Sequence, residues 1–215
     1  MNPQYNITAK FSLPYLSGVF PLGLAAGLLV FTSIFCVAQG TTVIRFEGPP
    51  ALEPGSSIGI QEYVEGGLRF RPLGAQNPGN QIGRVATAMV DMPDNGTSYL
   101  QAAGGESLAF SALDDALINL ISVDLSGFSV EASNFSVVFI GYKPSQASVS
   151  VSFSGNGLSF RSFMFGPEFS GLTRVEVPSY GWSLDNLVVT IPEPGVGSLM
   201  LLGLGALVLN RRRVA

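Results

Sequence analysis

The 215-residue chain contains no histidine and one cysteine, Cys36, which lies inside an apolar run near the start. Without histidine, every His-dependent catalytic triad and the ordinary zinc and haem sites are excluded. A lone cysteine forms no internal disulfide, so nothing in the thiol chemistry requires an oxidising compartment. Charge is also scarce, at 12% of residues, and is unevenly signed. Residues 41–190 carry seven Lys or Arg against fourteen Asp or Glu, a net charge of −7 that argues against nucleic acid and against anionic membrane surfaces. No EF-hand loop occurs, and without histidine or a cysteine in the middle region a serine nucleophile lacks its usual activators. Carboxylates are the remaining candidates for catalysis, and Asp114 and Asp115 are adjacent. On a strand such neighbours face opposite ways, and in a turn they cap the backbone, so neither arrangement makes the spaced acid pair of a glycosidase. The chain reads as non-enzymatic.

What is abundant is glycine (26), proline (14) and phenylalanine (15, against one tryptophan), a balance that suits short strands joined by turns. Alternating apolar residues recur in TTVIRFEG, SIGIQEYVEGGLRFRPL, VATAMVDM, TSYLQAAGG, SLAFSAL, INLISVDLSGF, RSFMFGPEF, LTRVEVPS and WSLDNLVVTI. FSVVFIGYKP and ASVSVSFSGNG form the clearest strand pair, and Gly66 and Gly67 separate two strands. About ten strands, with turn signals roughly every 8 to 12 residues, predict an all-β antiparallel sandwich, with a jelly roll as the arrangement that best protects strand edges. Only LDDALINLI (113–121) approaches a helical period, over one turn. No tandem repeat points to a solenoid or propeller.

The two ends differ from this middle. Residues 1–40 run from a polar start with Lys10 through an apolar stretch (19–38) to small residues, the layout of a secretory signal peptide cleaved after Ala38 or Gly40. The run is also long enough to remain as an anchor. Residues 191–215, IPEPGVGSLMLLGLGALVLNRRRVA, join Pro192, Glu193 and Pro194 to an apolar stretch and then to Arg211, Arg212 and Arg213. The prolines hold the chain extended and deny it helix hydrogen bonds, a form that a protease cleft binds. The apolar stretch suits a short transmembrane helix, and the arginines stay cytoplasmic by the positive-inside rule. A buried C-terminal helix would be amphipathic, and this stretch is apolar all round.

These three consecutive parts resemble the PEP-CTERM sorting signal of Gram-negative bacteria. The resemblance implies export through the secretion translocon, transient membrane anchoring, and processing near the Pro-Glu-Pro motif by an exosortase. The hosts of such proteins usually make extracellular polysaccharide. Glu193 would then be a recognition residue for another enzyme.

The middle, residues 41–190, resembles extracellular jelly-roll modules related to carbohydrate-binding domains, through Phe46-Glu47, YVEGGLRF, SVDL, VVFIGY and WSLDNLVV. The resemblance implies that the first and last strands run side by side. It also implies a structural calcium between them, carried here by Glu47 and Asp185 with Asn186 nearby; alternatively, Asp185 and Asn186 form a polar turn or cap before LVV. A glycan site needs an aromatic platform, for which Trp182, Tyr142, Tyr180 and Tyr99 are the available rings, each of which also suits a packing role. The expected product is a cell-surface or matrix protein linked to exopolysaccharide or biofilm. The alternatives are a calcium-stabilised lectin-like module and an ice-binding protein, the latter disfavoured by the lack of a Thr-x-Thr ladder.

Overall fold

A computed structural model describes residues 39–74, 82–105 and 107–192. The signal segment 1–38, Glu193, Pro194, the apolar stretch after them and Arg211 to Arg213 lie outside the described residues. Among the described residues, no helix is long and apolar enough to cross a membrane.

Among the described residues, thirteen strands form two antiparallel sheets: β1 (Gln39–Ile44), β2 (Ser57–Gly59), β3 (Tyr63–Glu65), β4 (Leu68–Leu73), β5 (Ile82–Val85), β6 (Tyr99–Ala102), β7 (Ser107–Ala112), β8 (Asn119–Gly127), β9 (Phe135–Tyr142), β10 (Ser148–Gly155), β11 (Arg161–Met164), β12 (Arg174–Val177) and β13 (Trp182–Pro192). One single-turn 3₁₀ helix spans Pro167–Phe169. The seven-stranded sheet runs β11-β8-β13-β6-β5-β2, with β1 also on β13. The six-stranded sheet runs β10-β9-β12-β7-β4-β3. From β5 onward the chain changes sheet at every connection except β5 to β6 and β9 to β10, which is jelly-roll winding.

Local sequence explains several of these elements. Gly66 (φ 56°) and Gly67 (φ 81°) supply the two positive φ values of a tight hairpin turn between β3 and β4. A Cβ on Gly66 would lie 2.6 Å from Thr42 Cγ2, so the turn packs directly on β1. Strand β9 alternates buried Phe135, Val137 and Phe139 with outward Ser136, Val138 and Ile140. Strand β10 pairs with it from Ser148↔Tyr142 to Gly155↔Phe135.

The core draws on both sheets. Val123, Leu125, Leu184 and Val189 of one meet Phe70, Phe110, Phe139 and Val175 of the other, all essentially buried. Phenylalanine rings carry much of it, with Phe70–Phe110 centroids 5.2 Å apart and Phe139–Phe165 5.1 Å apart in an edge-to-face contact. Fully burying each such ring contributes roughly 1.5–3 kcal/mol.

Two local expectations are corrected. VATAMVDM is not a strand throughout: β5 ends at Val85, Ala88 and Asp91 take positive φ, and Val90 is 83% exposed. LDDALINLI holds no helical turn; residues 113–115 form a turn in which the Asp114 carboxylate accepts a hydrogen bond from the Ala116 N–H (3.2 Å) and Asp115 has φ 58°.

Candidate functional site

The first and last strands do run side by side. β1 pairs with the second half of β13, from Ile44↔Leu187 to Gln39↔Pro192, while β6 pairs with its first half through Trp182 to Leu184. At the changeover β13 carries a bulge. Trp182 and Leu184 face the core before it, and Leu187 and Val189 after it, so one extra residue is accommodated. Asn186 absorbs it with φ 45°, a conformation that asparagine tolerates better than most residues.

The bulge gathers a polar cluster. Asp185 is fully buried, and its Oδ2 accepts hydrogen bonds from Asn95 Nδ2 (2.7 Å) and Thr97 Oγ1 (2.8 Å), while Oδ1 accepts from the Asn186 N–H (2.7 Å). Asn186 Nδ2 donates to Asp124 Oδ2 (2.9 Å), and Ser162 Oγ donates to Asp124 Oδ1 (2.5 Å). Burial pushes the Asp185 carboxyl up to about 6 against the three hydrogen bonds, and the negative charge of Asp124, its register partner on β8, adds to the rise.

This cluster does not fit the expected calcium site. Phe46 (φ 56°) turns the chain at the end of β1, leaving Glu47 exposed while Asp185 is enclosed. Both Asp185 oxygens face N–H or O–H donors, whose positive ends would oppose a cation in the same place. Among the described residues, no group of three or more Asp, Glu, His or Cys side chains is arranged to hold a metal ion. The polar reading of Asp185 and Asn186 is nearer the structure, as a bulge within the strand rather than a turn before it.

The aromatic candidates separate clearly. Trp182 is wholly buried, with Nε1 donating to Ser179 O (2.7 Å), so the expectation of a glycan platform there is corrected: neither ring face is open to a sugar. Tyr99 is also buried, and burial pushes its phenol pKa up. Tyr180 is 62% exposed. Tyr142, on the outer side of β9, is half-buried; the Arg174 guanidinium lies 4.5 Å from its ring centroid and occupies one ring face. Its hydroxyl donates to Glu176 Oε2 (2.8 Å), which holds the phenol proton more tightly than usual.

Beside Tyr142 lies an arrangement that the sequence reading missed. The outer face of the six-stranded sheet holds a depression of about 200 Å³ lined by Arg69, Arg71, Ala109, Ser111 and Arg174, with Leu73 at one end. Its floor is β7, where outward positions carry small side chains. Its walls are β4 and β12, whose register sets Arg69 opposite Ser111 and Arg71 opposite Ala109, and pairs Val175 with Phe110. Arg71 Nε donates to Glu62 Oε2 (2.6 Å), and Arg69 Nε lies 3.6 Å from the other oxygen of Glu62, too far for a hydrogen bond. Arg174 Nη2 pairs with Glu176 Oε1 at 2.8 Å. The alternations LRFRP and TRVEV were the available signal, since each places arginine on the face opposite the core residues.

No curated protein matches the chain. Among solved structures it is similar to a mutant of CBM29-2, a family 29 carbohydrate-binding module, with 12% identity over 72% of this chain and 87% of that one and a TM-score of 0.36. It is also similar to the enzymatically active domain of tailspike protein 4 of bacteriophage CBA120, with 10% identity over 59% of this chain and 19% of that one and a TM-score of 0.30. Neither likeness is close enough to carry an argument about this chain. The tail gives a specific result: residues 190–214 match the PEP-CTERM protein-sorting motif, which therefore begins on the last three residues of β13, Thr190, Ile191 and Pro192, where they pair with β1.

Proposed function

We propose that the chain is an exported, non-enzymatic β-sandwich protein, delivered by its sorting motif to the cell surface or extracellular matrix, where it associates with polysaccharide. The observation that carries this reading is the continuity of the sorting motif with the last strand. The last described strand ends at Pro192, inside the sorting motif, so removal of everything beyond the Pro-Glu-Pro motif leaves every described strand intact. In this reading Pro192, Glu193 and Pro194 are presented to an exosortase, while Arg211, Arg212 and Arg213 hold the cytoplasmic end during processing. The absence of catalysis is supported by the placement of the acids. Asp185 is enclosed and hydrogen-bonded, Asp124 is bonded to Ser162 and Asn186, and Asp114 caps a turn. The polysaccharide link and a place in biofilm rest on the kind of host that uses such tails.

Intact-mass measurement of the mature protein from its host tests the sorting step. The expected C-terminus lies near Pro194, and a strain lacking its exosortase should accumulate the longer form. A mature protein that still carries Arg211 to Arg213 in the normal host would overturn the reading.

A further inference from the structure

Four features of the depression on the six-stranded sheet go beyond general association with a glycan. First, Arg69, Arg71 and Arg174 are three of only seven cations in residues 41–190, and they surround one floor in a domain of net charge −7. Second, the arginine-bearing strands β4 and β12 stand on either side of β7, about 10 Å apart at the usual strand spacing, so the guanidinium groups flank a trough. Third, the neutralising carboxylates are outside its lining: Arg69 and Arg71 share Glu62, which leaves a cationic surplus, and the buried Arg69 Nε–H has no hydrogen-bond partner. Fourth, the lining offers no open aromatic face, because Phe110 is 1% exposed.

Neutral sugars are commonly held by ring stacking, and this trough has no ring for it. It has instead forked donors that match carboxylate geometry, pre-set by Glu62 on one wall and by Glu176 and the Tyr142 ring on the other. Ser111 adds a short hydroxyl on the floor. We infer that the trough between β4 and β12 binds the carboxylates of an acidic polysaccharide, a polymer of uronic acid residues, with Arg69 and Arg71 on one side of the chain and Arg174 on the other. This rests on the polysaccharide reading above and names its substrate class. Duplex DNA is disfavoured relative to a polyuronate, because the net −7 of the domain repels a polyanion more strongly the denser its charge, and duplex DNA carries one charge per about 1.7 Å of its axis whereas a polyuronate carries one per sugar residue.

The test is titration of the mature protein purified from its host with polygalacturonate, with neutral dextran and with duplex DNA. The wild type should bind polygalacturonate in a salt-sensitive manner, and Arg69→Gln/Arg71→Gln/Arg174→Gln should bind at least about tenfold more weakly. Arg174→Gln alone leaves β4 untouched and should show a smaller loss in the same direction, which keeps the test decisive if the triple variant unfolds. Arg161→Gln, an exposed position on β11 of the other sheet, should bind as the wild type does. Equal loss in Arg161→Gln would mean that net charge alone acts, and would overturn the site. Binding to dextran that is unchanged in the arginine variants would overturn the acidic class while leaving polysaccharide association standing. DNA binding as tight as polygalacturonate binding, lost in the same variants, would overturn the assignment to a glycan. Binding to no polymer would remove both readings.

Discussion

The outer faces of the two sheets carry polar residues at the same alternating positions and use them in opposite ways. On the seven-stranded sheet, Gln101, Ser183 and Asp185 point away from the core yet are at most 6% exposed. The 86–98 segment and the turn after β8 supply their partners. Gln101 Nε2 donates to Phe128 O (2.8 Å), and Asn95 and Thr97 reach Asp185. On the six-stranded sheet, Arg71 and Arg174 remain in solvent around an open depression. A polar residue facing outward from a strand is therefore free for a ligand only where no loop returns to cover it. Where β6 and β13 are covered the polar groups serve structure, and the open face keeps them available; toward β2 and β5 the seven-stranded sheet is open as well, but the depression of about 200 Å³ there, lined by Ser57, Ile58, Gly83 and Gln101, holds no charged side chain.

The largest expected effect comes from the residue on which the sequence and the structure disagree most. Trp182→Ala should cost about 3–5 kcal/mol of stability, measured by urea unfolding, because it empties a fully enclosed site. A variant that lost polymer binding at unchanged stability would return Trp182 to the role of an exposed platform. The next effect belongs to Asp185. Its carboxyl is raised from the ordinary range near 3.8 to about 6, so the folded state binds the proton more tightly than the unfolded chain does. This contribution to stability is fully present below about pH 3.8 and is lost as pH rises through about 6, an upper estimate of about 3 kcal/mol. Asp185→Asn should flatten that part of the stability profile between pH 4 and 7. An unchanged slope would show that Asp185 does not titrate there and that the covered face is wetter than its burial implies.

Much of the fold was legible because its strands obey local rules. The Gly66-Gly67 turn, the paired alternations of β9 and β10, and the side-by-side first and last strands all follow from residues within a few positions of each other or from the resemblance of the middle region. What was not legible depends on distant chain. Asn95 and Thr97 reach Asp185 across about ninety residues, so nothing near Asp185 marks it as covered. The resemblance implies that Glu47 meets Asp185 where the first and last strands run side by side; β1 does pair with β13, but the turn at Phe46 takes the chain away before Glu47 is reached. The phase change in WSLDNLVV, from inward Trp182 and Leu184 to inward Leu187 and Val189, was a readable sign of the bulge. The arginine trough needs the strand order, because only there do β4 and β12 become the two neighbours of β7.

Gly127, at the end of β8, tests how closely the covering turn fits. A Cβ there would lie 2.6 Å from Ser133 Cα and 2.7 Å from its carbonyl carbon, backbone atoms that cannot swing aside. Gly127→Ala should therefore cost about 1–3 kcal/mol in an unfolding titration. A neutral result would mean that the turn is free to lift, and the contrast between a sealed face and an open one would weaken.

The smallest stability effect is expected on the open face. Arg174 is roughly half exposed, pairs with Glu176 and lies over Tyr142, and exposed pairs of this kind contribute about 0–1 kcal/mol. Arg174→Gln should therefore leave the unfolding midpoint almost unchanged while weakening polygalacturonate binding. That separation is what an available polar group requires: its loss is felt by the ligand and hardly by the fold. If Arg174→Gln instead destabilised the protein as much as Gly127→Ala, the arginine would be a structural brace for β12. The two faces would then differ in exposure but not in purpose.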